Sequence, residues 1–212
     1  KQHDFDFVES MFIADSEDPD FIIRVNRLKT TKAELIDKLD QRGIESYPGK
    51  FCDEALHLVK PSAVKNINEF NDGLFTVQGE SSMLVAKALD PKAGENILDM
   101  CSAPGGKTTH IAELMGNEGH VVANDIFPHK IELINEAAAR LGISIVDAAI
   151  GDATVFNKDY EESFDRVLVD APCSGLGIVR KKPDIKLSRK KEDIKGLVDV
   201  QKAILNNAAR YV

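Results

Sequence analysis

Hydrophobic and polar positions divide the chain into two textures. Between residues 21 and 60 the pattern is short and mixed. Phe21-Ile22-Ile23-Arg24-Val25-Asn26 is rich in β-branched and aromatic residues and predicts a strand. Thr31 followed three residues later by Glu34 is a capping box, Leu35, Ile36 and Leu39 give the helix behind it one apolar face, and Gly43 stops it. Extended pieces are expected at 44–47 and 55–59, which makes a small β-α-β-β unit. Residues 1–20 are acidic and read as a frayed or interface segment. Residues 66–79 read as a connector with a turn at Asn71-Asp72-Gly73.

From about Gln78 the pattern alternates strictly between helix and strand. Helices are expected at 83–89, 107–115 and 128–141, and strands at 96–100, 120–124, 145–150 and 166–169. A last amphipathic helix spans 193–211 with Leu197, Val200, Ile204, Leu205 and Ala208 facing inward. Helices between short β-rich runs imply right-handed crossovers and a doubly wound parallel sheet. The expected organisation is therefore α/β: a small α+β subdomain at 1–70, similar to an RNA-recognition fold, then a Rossmann-like domain at 71–212. Only four strands are found in the second unit and the final helix is not followed by a fifth, so the domain is expected to be incomplete at its C-terminal side. A chain opening on Lys1 rather than Met is likewise expected to be a cut edge.

Composition narrows the class. The 212 residues, 43% hydrophobic and 29% charged, suit a soluble globular protein. No apolar run reaches the roughly 18 residues of a membrane span. Cys52, Cys101 and Cys173 are too scattered for a disulfide framework or a zinc site, which points to a reducing, cytoplasmic setting. His3, His57, His110, His120 and His129 lack metal-ligand spacing, so no metal is expected. The formal charge of −8 speaks against nucleic acid, but it is unevenly spread. Residues 180–191 hold seven basic side chains against Asp184 alone, a local +6 that leaves −14 elsewhere. Such a patch can hold a polyanion in one orientation, or be no more than a solvated helix entry.

Candidate chemistry gathers at the strand ends. In open α/β sheets the ligand lies beyond the carboxyl ends of the strands, at the switch point. That position reads Cys101-Ser102-Ala103-Pro104-Gly105-Gly106-Lys107-Thr108. A phosphate loop needs glycine where Cys101 stands, and a dinucleotide fingerprint needs more than the Gly105-Gly106 pair, so neither motif fits. Asp125 ends the second strand, where an acid accepts from ribose hydroxyls. Asp152 follows the third and can meet an exocyclic amine, and Asp170 closes the fourth. Each alone could be an ordinary turn or cap. Together they suit S-adenosylmethionine, whose ribose, adenine amine and charged methionine end each find a partner. Cys173, in Asp170-Ala171-Pro172-Cys173-Ser174-Gly175, sits beside the presumed methyl donor on a shaped turn and is a candidate for nucleophilic work, against the reading of a small buried hydrophobe.

These segments, with Arg180-Lys181-Lys182-Pro183-Asp184-Ile185-Lys186 and Arg24-Val25-Asn26-Arg27-Leu28-Lys29-Thr30-Thr31, resemble the Sun/Fmu-type RNA cytosine-5 methyltransferases, the family of the bacterial 16S rRNA enzymes. The resemblance covers nearly the whole chain. It implies that residues 101–107, Asp125, Asp152 and Asp170 line the S-adenosylmethionine site, and that Asp170 and Lys107 reach toward the target cytosine of small-subunit rRNA or an assembly intermediate. A monomer without metal or membrane partner is expected. RNA contact would rest on Arg24, Asn26, Arg27, Arg180, Lys181, Lys182 and Lys186. In this family the Pro-Cys cysteine, here Cys173, assists product release, and the attacking cysteine stands in a Thr-Cys motif. No Thr-Cys pair occurs in these residues, so that cysteine is expected beyond Val212, and the family's NusB-like domain is also missing. The 212 residues alone are then expected not to complete methyl transfer. DNA cytosine methyltransferases instead attack with the Pro-Cys cysteine, but the flanking motifs resemble the RNA group. Two other readings compete: a non-catalytic RNA-binding or assembly module on the same fold, and a nicotinamide oxidoreductase, which the lone diglycine disfavours.

Overall fold

A computed structural model of the chain describes residues 4–16, 20–61, 63–180, 182–188, 190 and 192–212. The first helix, α1 (Phe5–Ser16), lies where a frayed or interface segment is expected. Its Phe5, Phe7, Met11, Phe12 and Ile13 are exposed, so helical periodicity there does not produce a buried stripe.

The first sheet is antiparallel and built from β1 (Phe21–Val25), β2 (Ser46–Pro48), β3 (Ala55–Leu58) and β4 (Phe75–Val77), in the order β2-β3-β1-β4. Between β1 and β2 runs α2 (Lys32–Gln41), and between β3 and β4 the short α3 (Asn68–Asn71). The Thr31 hydroxyl accepts from Glu34 N at 3.2 Å, and the Glu34 carboxylate accepts from Thr31 N at 2.8 Å, completing the expected capping box. The reading of residues 66–79 as a connector is corrected. Phe75–Val77 pairs with β1, so this sheet takes its fourth strand from beyond residue 70 and the unit is βαββαβ, the ferredoxin-like arrangement. Three residues are too few for a period-2 pattern to show in the sequence.

Alternation along β1 and β3 sends residues to opposite faces. Ile23, Val25 and Leu56 pack with Leu35, Leu39 and Phe75 in a core beneath α2. The other face, carrying Ile22, Arg24 and His57, meets the second unit and is covered by α4 (Glu80–Leu89) and α5 (Gly106–Leu114).

The second sheet is parallel, as expected, with the order β7-β6-β5-β8 for β5 (Asn96–Asp99), β6 (His120–Asp125), β7 (Val146–Ile150) and β8 (Arg166–Leu168). This reversal of order at β5 is the switch point of a doubly wound sheet. α6 (Pro128–Leu141) begins at Pro128 and ends at Gly142 (φ 75°), the proline-first, glycine-after asymmetry of helix termini. The long α8 (Asp193–Tyr211) packs Ile204, Ala208 and Tyr211 onto Leu98, Met100 and Val122. Leu205, expected inward, is exposed, because the buried stripe follows 200, 204, 208 and 211 and Leu205 lies off it.

Polar groups join the two units. The Glu80 carboxylate at the start of α4 accepts from Lys50 N (3.1 Å), Phe51 N (2.6 Å) and Cys52 N (2.8 Å) in the β2–β3 turn. Burial alone would raise its pKa, but these N–H groups outweigh that and hold it below the ordinary value. Asn26 Nδ2 donates to Gly73 O and Leu141 O, each at 2.8 Å.

On the buried face of α5, His110 is almost fully buried, with Nε2 3.3 Å from Glu54 Oε1. Burial pushes the imidazole down to about 4 despite that carboxylate, while its contact with His110 takes Glu54 to about 2. A histidine with a lowered folded pKa is a stability term that is intact above the unfolded pKa of about 6.5 and lost as pH falls toward 4, because the unfolded chain takes up a proton that the folded one refuses. Between pH 7 and pH 4 wild type should therefore lose up to about 3 kcal/mol more stability than His110→Gln, as read by urea denaturation at each pH. A difference between the two that stays constant with pH would refute the neutral, buried imidazole.

Candidate cofactor and active site

Because β5, β6, β7 and β8 are parallel, their carboxyl ends share one edge, and the expected site residues follow those ends. The edge is knitted together by Asn124, whose side-chain amide donates to Met100 O (3.0 Å) after β5 and to Gly151 O (2.9 Å) after β7. Ser102 Oγ donates to Asn124 O at 3.0 Å. A single amide thus sets the spacing of three strand ends. Nothing in the sequence distinguishes Asn124 from an ordinary strand-end residue.

The turn 101–106 leaves β5 and enters α5. Gly105 takes φ 95°, in the left-handed region, and a Cβ there would lie 3.3 Å from the Ile134 backbone, so the turn requires glycine. Asp125, buried at the end of β6, accepts from Ala103 N (3.2 Å) and Phe127 N (3.1 Å), which leaves each oxygen a second lone pair. Asp152 is exposed and caps its own turn by accepting from Thr154 N (2.9 Å) and Thr154 Oγ1 (2.7 Å), and these bonds lower its pKa. Asp170 is half exposed and meets Lys107 Nζ at 2.5 Å. This ion pair spans the switch point between β5 and β8.

A cavity of about 260 Å³ follows the turn, with Gln78, Asp99, Ser102, Pro104, Lys107 and Asp170 in its wall. Asp99 was not singled out by sequence. It is fully buried, which raises its carboxyl to about 6 although Thr108 Oγ1 donates to it at 2.7 Å, and its Oδ1 has no hydrogen-bond partner. Cys101 is half-buried, and burial together with the charge of Asp99 pushes its thiol up to about 12, so it is a neutral wall residue at physiological pH. A second cavity of about 290 Å³ lies on the β7 side, lined by Asn124, Gly151, Asp152, Ala153 and Phe156 among others. An orphaned buried carboxylate oxygen, a second exposed carboxylate and a glycine turn in one cleft fit a nucleoside with a cationic tail.

Cys173 is exposed on the loop three residues after Asp170. Gln201 Nε2 in α8 donates to Pro172 O at 2.9 Å and anchors this loop to the last helix. Among the described residues no group of three His, Cys, Asp or Glu could hold a metal ion.

The expected RNA contacts separate into two kinds. Arg24 and Asn26 are buried, and the structure corrects their assignment: Arg24 donates to Glu113, Thr109, Gly106 O and Gln78, and Asn26 bonds two carbonyls, so neither has a group to offer RNA. Alternation along a strand cannot distinguish a face turned to solvent from one turned to a second unit. Arg27 is exposed and pairs with Asp53. Arg180 and Lys182 are exposed on the loop after Cys173. Lys181, like Arg189 and Lys191, lies outside the described residues. Lys186 falls in α7 (Ile185–Ser188).

Comparison with known proteins resolves the lineage. The profile of the 16S rRNA methyltransferase RsmB/F family matches residues 86–212, and that of the RsmF/B-like ferredoxin-like domain matches residues 1–65. The chain belongs to the RsmB/F methyltransferase family. The probable ribosomal RNA small subunit methyltransferase B of Bacillus subtilis is 47% identical over 195 residues, which is 92% of this chain and 43% of that protein. The crystal structure of PH0851 superposes over 98% of this chain and 47% of its own, with a TM-score of 0.93 and 34% identity. A methyltransferase homologue from Pyrococcus horikoshii superposes over 92% of this chain and 61% of its own, with a TM-score of 0.79 and 32% identity. The chain thus spans less than half the length of the curated RsmB relative. The ferredoxin-like match agrees with the βαββαβ topology, and the RsmB/F match falls on the Rossmann-like sheet and its strand-end edge.

Proposed function

We propose that this chain carries the S-adenosylmethionine site and part of the catalytic machinery of an enzyme that forms 5-methylcytosine in small-subunit rRNA. The observation that carries the reading is the single edge on which the Gly105 turn, Asp125, Asp152 and the Lys107–Asp170 pair follow four parallel strand ends. In this reading Asp125 accepts from the ribose, Asp152 faces the adenine amine, and residues 101–107 with Asp99 and Asp170 hold the amino-acid end. Bound there, S-adenosylmethionine supplies the methyl group.

Cytosine C5 is a poor nucleophile until a thiolate adds to C6, which pushes an electron pair onto C5. In this reading Asp170, ion-paired with Lys107, accepts a hydrogen bond from the N3-protonated ring and so stabilises that adduct. After methylation a base removes the C5 proton and the C6–S bond breaks. Cys173, exposed beside Asp170, acts in this release. No Thr-Cys pair occurs among the 212 residues, so the proposal places the attacking cysteine outside them. The target base is drawn out of folded RNA, naked or in an assembly intermediate, to reach the edge. Arg27, Arg180, Lys182 and Lys186 are assigned to the RNA backbone, with Lys181 beside them in sequence. The protein acts as a monomer in the cytoplasm. No helix among the described residues is long and apolar enough to cross a membrane, and the three cysteines are unpaired.

Calorimetric titration of the chain with S-adenosylhomocysteine should show one site, which Asp125→Ala weakens at least tenfold. Bisulfite mapping of small-subunit rRNA should show one 5-methylcytidine that disappears when the gene is deleted. An unchanged map alongside intact cofactor binding would favour the non-catalytic module, a reading that the missing Thr-Cys pair also motivates. Absence of binding would remove the cofactor assignment itself.

A further inference from the structure

A cavity of about 530 Å³, larger than the cofactor cleft, lies between the two units. One wall is the β2–β3 turn with Lys50 and Phe51, the floor is the start of α4, and the opposite wall is the loop with Gly177, Ile178 and Arg180 that follows Cys173. Gly79 lines both this groove and the cofactor cleft, so the two adjoin.

Phe51 is conspicuous there. It is 64% exposed, yet its backbone is fixed by the bonds from Phe51 N and Cys52 N to Glu80, so the ring stands on a rigid turn. Lys50 Nζ lies 5.2 Å from its centroid. An exposed aromatic ring costs free energy in water unless something covers it, and a ring with an adjacent cation matches a base with its phosphate. The far wall begins the most basic run of the sequence. Glu80 and Asp20 also face the groove. The oxygens of Glu80 are committed to backbone N–H groups, and Asp20 lies 3.9 Å from His57 Nδ1.

We infer that this groove is a nucleotide subsite, in which Phe51 stacks on the base adjoining the target cytidine while Lys50 and Arg180 hold its phosphates. The inference rests on the RNA-methylating reading. It also explains how the ferredoxin-like unit can serve RNA although one face of its sheet is buried against α4 and α5.

The test is fluorescence-anisotropy binding of a 12-nucleotide single-stranded RNA with a central cytidine, in the presence of S-adenosylhomocysteine. Versions of this RNA made abasic on the 5′ or the 3′ side of the cytidine complete the set. Phe51→Ala should weaken binding of the intact RNA about tenfold, Phe51→Tyr should retain it, and Phe51→Ala should cost nothing further on one of the two abasic RNAs. Lys50→Ala should reduce the salt slope by about 0.7. Wild-type binding with an unaffected Phe51→Ala, or an equal loss on every RNA, overturns the subsite alone. Wild-type protein that binds cofactor but no RNA overturns the subsite and the RNA reading together.

Discussion

Replacing Arg24 by alanine should destabilise the protein by about 3–5 kcal/mol, the cost of leaving one member of a buried ion pair alone. Arg24 is fully buried. Its Nε and Nη2 form a fork on Glu113 at 3.1 and 2.8 Å, Nη2 also reaches Thr109 Oγ1 at 3.1 Å, and Nη1 donates to Gly106 O at 2.9 Å. Burial already raises the pKa of Glu113 against the opposing pull of Arg24, so removing the guanidinium leaves an acid that must take up a proton or open the interface. Lysine cannot reproduce the fork, and Arg24→Lys should recover only part of the loss. The double variant Arg24→Met with Glu113→Leu should be more stable than Arg24→Ala, since no charge remains unpaired. Urea midpoints at constant slope measure these differences. Because Gly106 begins α5 beside the cofactor turn, Arg24→Ala should also weaken S-adenosylhomocysteine binding. A loss below about 1 kcal/mol would show that the fork is not what joins the units.

The largest effect on chemistry is expected at Asp170. On the proposed function, Asp170→Asn in the full-length protein should lower the rate of methyl transfer into small-subunit rRNA by about 10²–10⁴, the usual contribution of a positioned acid. Stability should hardly change, because the Lys107–Asp170 pair is half exposed and such pairs contribute at most about 1 kcal/mol. Affinity for S-adenosylhomocysteine should fall far less than turnover. Lys107→Met should act in the same direction through loss of the partner charge. Single-turnover rates with saturating cofactor separate the two effects. A variant retaining more than a tenth of the wild-type rate would remove Asp170 from the proposed adduct stabilisation.

Long periodic segments were the most legible. The helix at 128–141 was read to the residue, and the four parallel strands were located to within one or two residues, because helices of several turns and buried strands leave redundant signals. The Thr31–Glu34 box was equally legible, being a local device whose two bonds close within four residues. Short or solvent-edged features were not. Phe75–Val77 is three residues of strand that only β1 holds in place, and Leu205 was misassigned by one step around the last helix. In the site, the turn 101–107, Asp125, Asp152 and Asp170 could be named because strand ends in a parallel sheet share an edge by construction. Asp99 and Asn124 could not, since their importance lies in an unpartnered oxygen and in two carbonyls brought from other strands.

By itself the sequence determined the fold class and the positions of the glycine turn and of the acidic residues after the strands, since each depends on local periodicity or on position along one element. Tertiary structure decided the fate of Arg24, which alternation marks only as lying on the second face of β1. Whether that face meets water or another helix depends on how two units pack, and a buried guanidinium is stable only where Glu113, Thr109 and Gly106 converge on it from a distant part of the chain.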